Sequence, residues 1–335
     1  MKKMWTVFAL AMIMLASCVS EDLGNAEGQS RGEEVTVKIG FDGEILDITE
    51  GPLETKASGD DLYGIQVYFS PSNGANEICF AYGVFDDPSK MEIKLLTGYK
   101  YRFEATMIKD GVNVVRHYYD SDSGQQWFEA PFNNTLENEF KYSSKQGTCP
   151  YDSWVLMQEP QKESYARPSV MRYYGEINYT LSTPESSPIN INMYQVVFGA
   201  KFNMVNLTEG KVNIEISEAP AMSITHPKTS VEGIFTFGSF WTHESPEGEY
   251  TNEGVIRSEE TITTNITWTK NDGITIPVYN GPIKFTRNKQ TIVTVNLDQE
   301  SESLGTKVEI DLEDTPMTPG DEATINPGDQ VPSYN

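Results

Sequence analysis

Histidine and cysteine are nearly missing from this chain, with three of each in 335 residues. The histidines, His117, His226 and His243, stand far apart. None forms a pair at metal-ligand spacing, and there is no Cys-x-x-Cys, no GxSxG elbow and no glycine-rich phosphate loop. The expectation is no enzyme, no cofactor and no metal. Positive charge is also short: 25 Lys and Arg stand against 49 Asp and Glu, for a net charge of −24. Such a surface repels phosphate backbones, which argues against a nucleic-acid partner. So many acids always supply some close pair, so a carboxylate-only hydrolase stays as a distant third reading with no signature of its own.

Long apolar runs are confined to one place, "MKKMWTVFALAMIMLASCVSED". Lys2 and Lys3 precede an apolar segment from Trp5 to Ala16. As a helix it would reach roughly 18 Å, too short for the ~30 Å core of a bilayer. This is the form of a secretory signal peptide. Its end, Leu15-Ala16-Ser17-Cys18, resembles the bacterial lipobox, which implies cleavage before Cys18 and acylation there by chains such as palmitate. Several chains at ~0.8 kcal/mol per buried methylene hold a protein to a membrane without a spanning helix. Val19-Ser20-Glu21-Asp22 and the polar residues through Gly32 read as a flexible tether. Acids directly after the lipid-bearing cysteine resemble the surface-export signal of Bacteroidetes lipoproteins.

Cys79 and Cys149 remain, in "EICFAYGVF" and "QGTCPYDSW". Outside the inner membrane a disulfide between them is permitted, and on the chain-entropy model it would contribute roughly 4 kcal/mol. Two unpaired thiols are the equal alternative.

Helical periodicity is scarce and period two is everywhere. Val35, Val37, Ile39 and Phe41 alternate with polar neighbours, as do Tyr99, Tyr101, Phe103, Ala105 and Met107. So do Val212, Ile214 and Ile216; Ile262, Thr264, Ile266 and Trp268; and Val293, Val295 and Leu297. Alternation marks strands with one buried and one wet face. Asp110-Gly111 and Asp272-Gly273 predict two-residue hairpins. "DDPSKMEIKLL" predicts a helical turn at Pro88, and "NNTLENEFKYSS" a short helix. The expected class is all-β and antiparallel, with few short helices. Pro and Ser cluster in "LSTPESSPIN", 181–190, and suggest a seam between two halves. The expected division is a signal peptide 1–17, a tether 18–32, an N-terminal domain 33–185, a C-terminal domain 186–314 and a Pro-rich extended tail 315–335.

Two local likenesses compete with plainer readings. Asp120, Asp122, Gly124 and Glu129 loosely match a calcium loop, but an acidic hairpin tip fits better. Trp127, Trp154, Trp241 and Trp268 include candidates for a sugar platform, although strand tryptophans are more often core.

"EEVTVKIGFDGEILDITEGPLETKASGDDLYGIQVYF" resembles the N-terminal region of Bacteroidetes fimbrillins and fimbrillin-like surface lipoproteins, in its order of strand, acidic loop, Thr-Lys-Ala and second strand. "GYKYRFEATMI" and "FTRNKQTIVTVNL" also look like strands of that family. The resemblance implies two tandem transthyretin-like β-sandwich domains and no catalysis. It implies a cell-surface fimbrial (pilus) subunit or adhesin at the outer membrane, held by the lipid on Cys18. It further implies proteolysis between Lys56 and Ala57, loss of the strand bearing Val35, Val37, Ile39 and Phe41, and its replacement by a strand donated from another fimbrial subunit. The family's usual residue at the cut is arginine, so Lys56 departs from the pattern, and an uncut anchored subunit is the even alternative. A host or glycan ligand is the expected adhesion partner, and a lipid-anchored glycan-binding module is the runner-up function.

Overall fold

Alternating apolar residues pair into strands almost throughout, and among the described residues the strands bury two large cores and three smaller apolar clusters. The structure is a computed structural model that describes residues 32–44, 60–70, 77–121, 124–129, 131–143, 149, 170–184, 187–217, 219, 221–236, 240–245 and 247–297, together with the backbone of a strand at 308–316. Cys18, Lys56, Ala57, Asp122, Trp154 and the tail beyond 316 lie outside the described residues.

The first eleven strands are β1 (Glu34–Gly43), β2 (Leu62–Ser70), β3 (Ile78–Phe85), β4 (Glu92–Leu96), β5 (Tyr99–Ile108), β6 (His117–Asp120), β7 (Gln125–Phe128), β8 (Asn134–Thr135), β9 (Lys141–Tyr142), β10 (Arg172–Leu181) and β11 (Ile189–Gln195). Eight of them form one sheet in the order β4-β1-β11-β10-β5-β2-β3-β9, and β6-β7-β8 form a small separate sheet. The first core takes Val35, Val37, Ile39 and Phe41 from β1, Ile93 and Leu95 from β4, Tyr101, Phe103, Ala105 and Met107 from β5, and Ile189, Ile191 and Met193 from β11.

The remaining strands are β12 (Val197–Val205), β13 (Lys211–Ile216), β14 (Met222–Thr225), β15 (Ser230–Thr236), β16 (Trp241–Glu244), β17 (Tyr250–Ile256), β18 (Glu259–Thr269), β19 (Thr275–Thr286), β20 (Lys289–Asn296) and β21 (Val308–Pro316). Sheets β15-β12-β20-β21 and β14-β13-β18-β19 share the second core, in which Phe198, Phe202, Val293 and Val295 meet Val212, Ile214, Ile266 and Trp268. β16 and β17 form a hairpin of their own. The chain passes from the first core to the second through a single buried residue, Val196.

Antiparallel pairing is not universal. β1 runs parallel to β11, and β12 runs parallel to β20. Each parallel pair joins strands distant in sequence, which only a long connection permits. The hairpin expectations also change. Asp110 adopts a left-handed conformation (φ 55°), but it leads into a helical turn at Gly111–Val114, and β5 pairs with β2 and β10 instead of β6. Asp272-Gly273 does lie between paired strands, in a connection over 270–274 with Gly273 at φ +87°. The turn at Pro88 is a 3-10 helix, Pro88–Lys90, capped by Asp87. "NNTLENEFKYSS" forms the short strands β8 and β9 around turns and no helix. Among the described residues, no helix is long and apolar enough to cross a membrane.

Candidate functional site: the leading strand and its clamp

Strand β1 changes partner halfway along. Its first half pairs antiparallel with β4, Val35 opposite Leu95 and Val37 opposite Ile93. Its second half pairs parallel with β11, Ile39 opposite Ile189 and Phe41 opposite Ile191. At the handover the Ile39 amide donates to the Met91 carbonyl at 2.9 Å. β1 therefore lies between two strands and is not a free edge. Period two still sorts its faces: Val35, Val37, Ile39 and Phe41 are buried, and Phe41 stacks on Tyr63 with ring centroids 5.4 Å apart. On the wet face Lys38 pairs with Glu92 at 3.3 Å, and Lys94 with Glu34 at 3.0 Å. Exposed pairs like these stabilise by at most ~1 kcal/mol.

The strand ends at Gly43, φ +86°, where a Cβ would meet the Met193 carbonyl oxygen at 2.7 Å. Glycine suits both the left-handed backbone and that close approach. Directly after it, Glu44 accepts from Arg287 Nη1 and Nη2 at 2.6 and 3.0 Å. The Gln195 amide donates to the same carboxylate at 2.7 Å, and Arg287 also donates to the Gln195 carbonyl at 2.8 Å. The clamp joins the end of β1, the end of β11 and the segment between β19 and β20. Sequence reasoning missed Glu44 and Arg287, because an isolated Glu and Arg 243 positions apart carry no local pattern.

A second junction lies on the outer face of the first sheet. Glu104 and Glu176 stand directly opposite each other on β5 and β10. Arg102 pairs with both Glu104 and Glu77, and its guanidinium carbon sits 4.2 Å from the centre of the Tyr68 ring. Gln66 donates to Glu104 at 3.3 Å. From β16, Trp241 Nε1 donates to Glu176 at 3.4 Å, and His243 Nε2 lies 3.8 Å from the same carboxylate. Trp241 packs edge-on against Tyr174, with centroids 4.9 Å apart. Burial pushes the Glu104 carboxyl up to about 7; Arg102 opposes the shift and Glu176 adds to it. Burial, followed by the neighbouring Glu104 and Glu176, also raises the Tyr174 hydroxyl well above its usual range.

The other singled-out residues fall in separate places. Cys79 and Cys149 are joined as a disulfide with Cα atoms 5.0 Å apart, buried beside Tyr68. Trp268 belongs to the second core and donates to the Glu209 carbonyl at 2.8 Å. Trp127 faces outward on β7, nearly parallel to Tyr118. Asp120 and Gly124 form a hairpin turn, the Gly124 amide donating to the Asp120 carbonyl at 2.9 Å. Among the described residues, no group of three or more His, Cys, Asp or Glu is arranged to hold a metal.

No family model and no curated protein matches the chain. Among solved structures the chain is similar to an adhesin candidate from Bacteroides ovatus, with 14% identity, a TM-score of 0.36, and coverage of 88% of this chain and 100% of the other. It is similar to the tip fimbrial protein Mfa3 of Porphyromonas gingivalis, with 10% identity, a TM-score of 0.31, and coverage of 84% and 99%. It is likewise similar to the fimbrial anchor protein Mfa2 of Porphyromonas gingivalis, with 8% identity, a TM-score of 0.36, and coverage of 83% and 94%.

Proposed function

We propose that this protein is a non-catalytic cell-surface lipoprotein, a fimbrial subunit or fimbrillin-like adhesin, whose first strand is exchanged for a strand of a neighbouring subunit. In this reading the lipid on Cys18 holds the chain at the outer membrane. The two cores are the centres of two sandwich domains, and a cut between Lys56 and Ala57 frees β1.

The observation that carries the reading is the placement of β1. It is the first strand of the described chain, yet it supplies four buried side chains and bridges β4 to β11. At ~1.5–3 kcal/mol for each fully buried apolar side chain, the strand contributes on the order of 6–12 kcal/mol. That is comparable with the net stability of a whole domain. Its loss would leave ladder positions open on both β4 and β11, a site that an alternating strand of another chain completes with backbone bonds and apolar pockets.

The test is a surface preparation from cells carrying the wild type or Lys56→Gln, examined for filaments, with mass spectrometry of the mature N-terminus. The reading expects filaments and a chain beginning at Ala57 in the wild type. The variant is expected to remain a folded, lipid-anchored monomer. Equal filament abundance in the two would end strand exchange. A wild type that begins at acylated Cys18 and forms no filaments would support the anchored, uncut subunit instead.

A further inference from the structure

The sheet β6-β7-β8 has one face committed to a core, and its other face carries the half-buried Trp127, the buried Thr135 and the exposed Tyr118. Phe128 on β7 is fully buried with Phe132, Val115 and Leu62. By strand alternation its neighbour Trp127 points the other way, and Tyr118 and Thr135 stand opposite Trp127 on the flanking strands. Tyr118 is 53% exposed, and its ring lies nearly parallel to Trp127, 26° between planes and 6.5 Å between centroids. With Trp127 half-buried and Tyr118 exposed, the two rings border solvent on the face away from the Phe128 core.

Beside the rings is a compact set of polar groups. Glu137 pairs with Lys141 and accepts from Thr135, Lys141 Nζ donates to Thr135 Oγ1 at 2.9 Å, and Gln125 bonds to Glu137. Burial pushes the Glu137 carboxyl upward, but the bonds from Lys141 and Thr135 outweigh it and hold the group below its usual range. It therefore stays an acceptor at neutral pH. We propose that this face is a binding subsite for a neutral oligosaccharide, with Trp127 and Tyr118 against the C–H face of a sugar ring and Gln125, Glu137 and Lys141 bonding its hydroxyls.

The chemistry favours that occupant over others. A saccharide offers an apolar ring face together with hydroxyls that both donate and accept, matching aromatics bordered by an amide, a carboxylate and an ammonium. An apolar peptide would strip water from Glu137 and Lys141 without replacing their bonds. A polyanionic glycan meets a chain of net charge −24. The proposal extends the adhesin reading without depending on strand exchange, and the two fail separately because binding and filament formation are read by different assays.

The test uses the detergent-solubilised full chain on immobilised neutral probes, namely cellohexaose, laminarihexaose and neutral mucin O-glycans, with heparin as the polyanion. Binding to at least one neutral probe is expected. Trp127→Ala should weaken it by roughly tenfold or more, with Trp127→Phe retaining most of it. Tyr118→Ala, at a more exposed position, should weaken binding with the melting temperature unchanged, and it carries the test if Trp127→Ala fails to fold. Absence of binding to every neutral probe, tighter binding to heparin, or neutral binding that survives Tyr118→Ala at full strength would each overturn the proposal.

Discussion

The Arg287 guanidinium grips the Glu44 carboxylate through both terminal nitrogens, at 2.6 and 3.0 Å. Glu44 follows β1 directly, and Arg287 lies just beyond β19, so one ion pair ties the leading strand to the half of the chain that holds the second core. The Gln195 amide and carbonyl complete the arrangement at the very end of β11. Whatever removes β1 together with Glu44 also removes the carboxylate of a largely buried arginine and leaves it the Gln195 carbonyl.

Glu44→Ala and Arg287→Ala are each expected to destabilise the chain by about 1–3 kcal/mol, because each leaves the other charge partly buried without its fork. The double variant should cost less than the sum, since the surviving charge is then gone. Thermal or urea unfolding of the four proteins measures this cycle. Full additivity would mean that the bidentate contact contributes nothing.

The outer-face junction predicts a pH dependence. Glu104 titrates at about 7 in the fold against an ordinary value of 4.5. The native state keeps this proton across a window in which the unfolded chain has released it. Unfolding then releases a proton, so stability falls as pH rises from about 4.5 to 7, by roughly 3 kcal/mol in full. Arg102, Glu77, Gln66, Tyr68, Tyr174, Glu176 and His243 all face this cluster, and Glu104→Gln leaves every one in place. The variant should lose the part of the slope between pH 5 and 7.5 that Glu104 supplies, and should exceed the wild type in stability at pH 8. Identical slopes from urea titrations across that range would refute the assignment.

Much of both cores was legible in the sequence because many of their strands are wet on one side. Val35 to Phe41 keep strict alternation, as do Ile262 to Trp268 and Val293 to Leu297, and the structure buries those sets. Alternation fails where both faces are covered. β2 is buried at nearly every position, with Gln66 as deep as Val67, because one face meets the first core and the other meets the Glu104 cluster. The parallel partnership of β1 with β11 was not legible either. Register between strands so far apart depends on the path of the chain, and no local period encodes it. Glu44 and Arg287 share that difficulty.

The Cys79–Cys149 disulfide spans 70 positions and is buried against β2 and β3. Cys149→Ser should therefore destabilise the oxidised chain by roughly 2–4 kcal/mol, and Cys79→Ser by a similar amount. Reducing agent should lower the melting temperature of the wild type toward that of the variants and leave the variants unmoved. A wild type whose melting temperature ignores reduction would count against the bond as a contributor.

Gly175 tests the path of β11. β10 and β11 pair only at Tyr173 with Gln195 and Tyr174 with Tyr194. Below that point β11 leaves its neighbour to meet β1, and it passes directly over Gly175. A Cβ there would lie 2.2 Å from the Asn192 carbonyl oxygen and 2.9 Å from both Ile191 Cγ2 and Met193 Sδ. The nearest atom is backbone, which cannot swing aside as a side chain would. Gly175→Ala should thus cost about 1–3 kcal/mol, as overpacking does. The cost should fall on the contact between β11 and β1, so amide exchange in β1 should accelerate more than exchange in β18, whose partners lie in the second core. Gly98→Ala is the control: nothing lies within 4 Å of its added methyl, and only the positive φ of +84° opposes it. If Gly175→Ala unfolds with the same free energy as the wild type and leaves β1 exchange unchanged, β11 does not pass this closely. The bridge that carries β1 between the two strands would then be drawn wrongly.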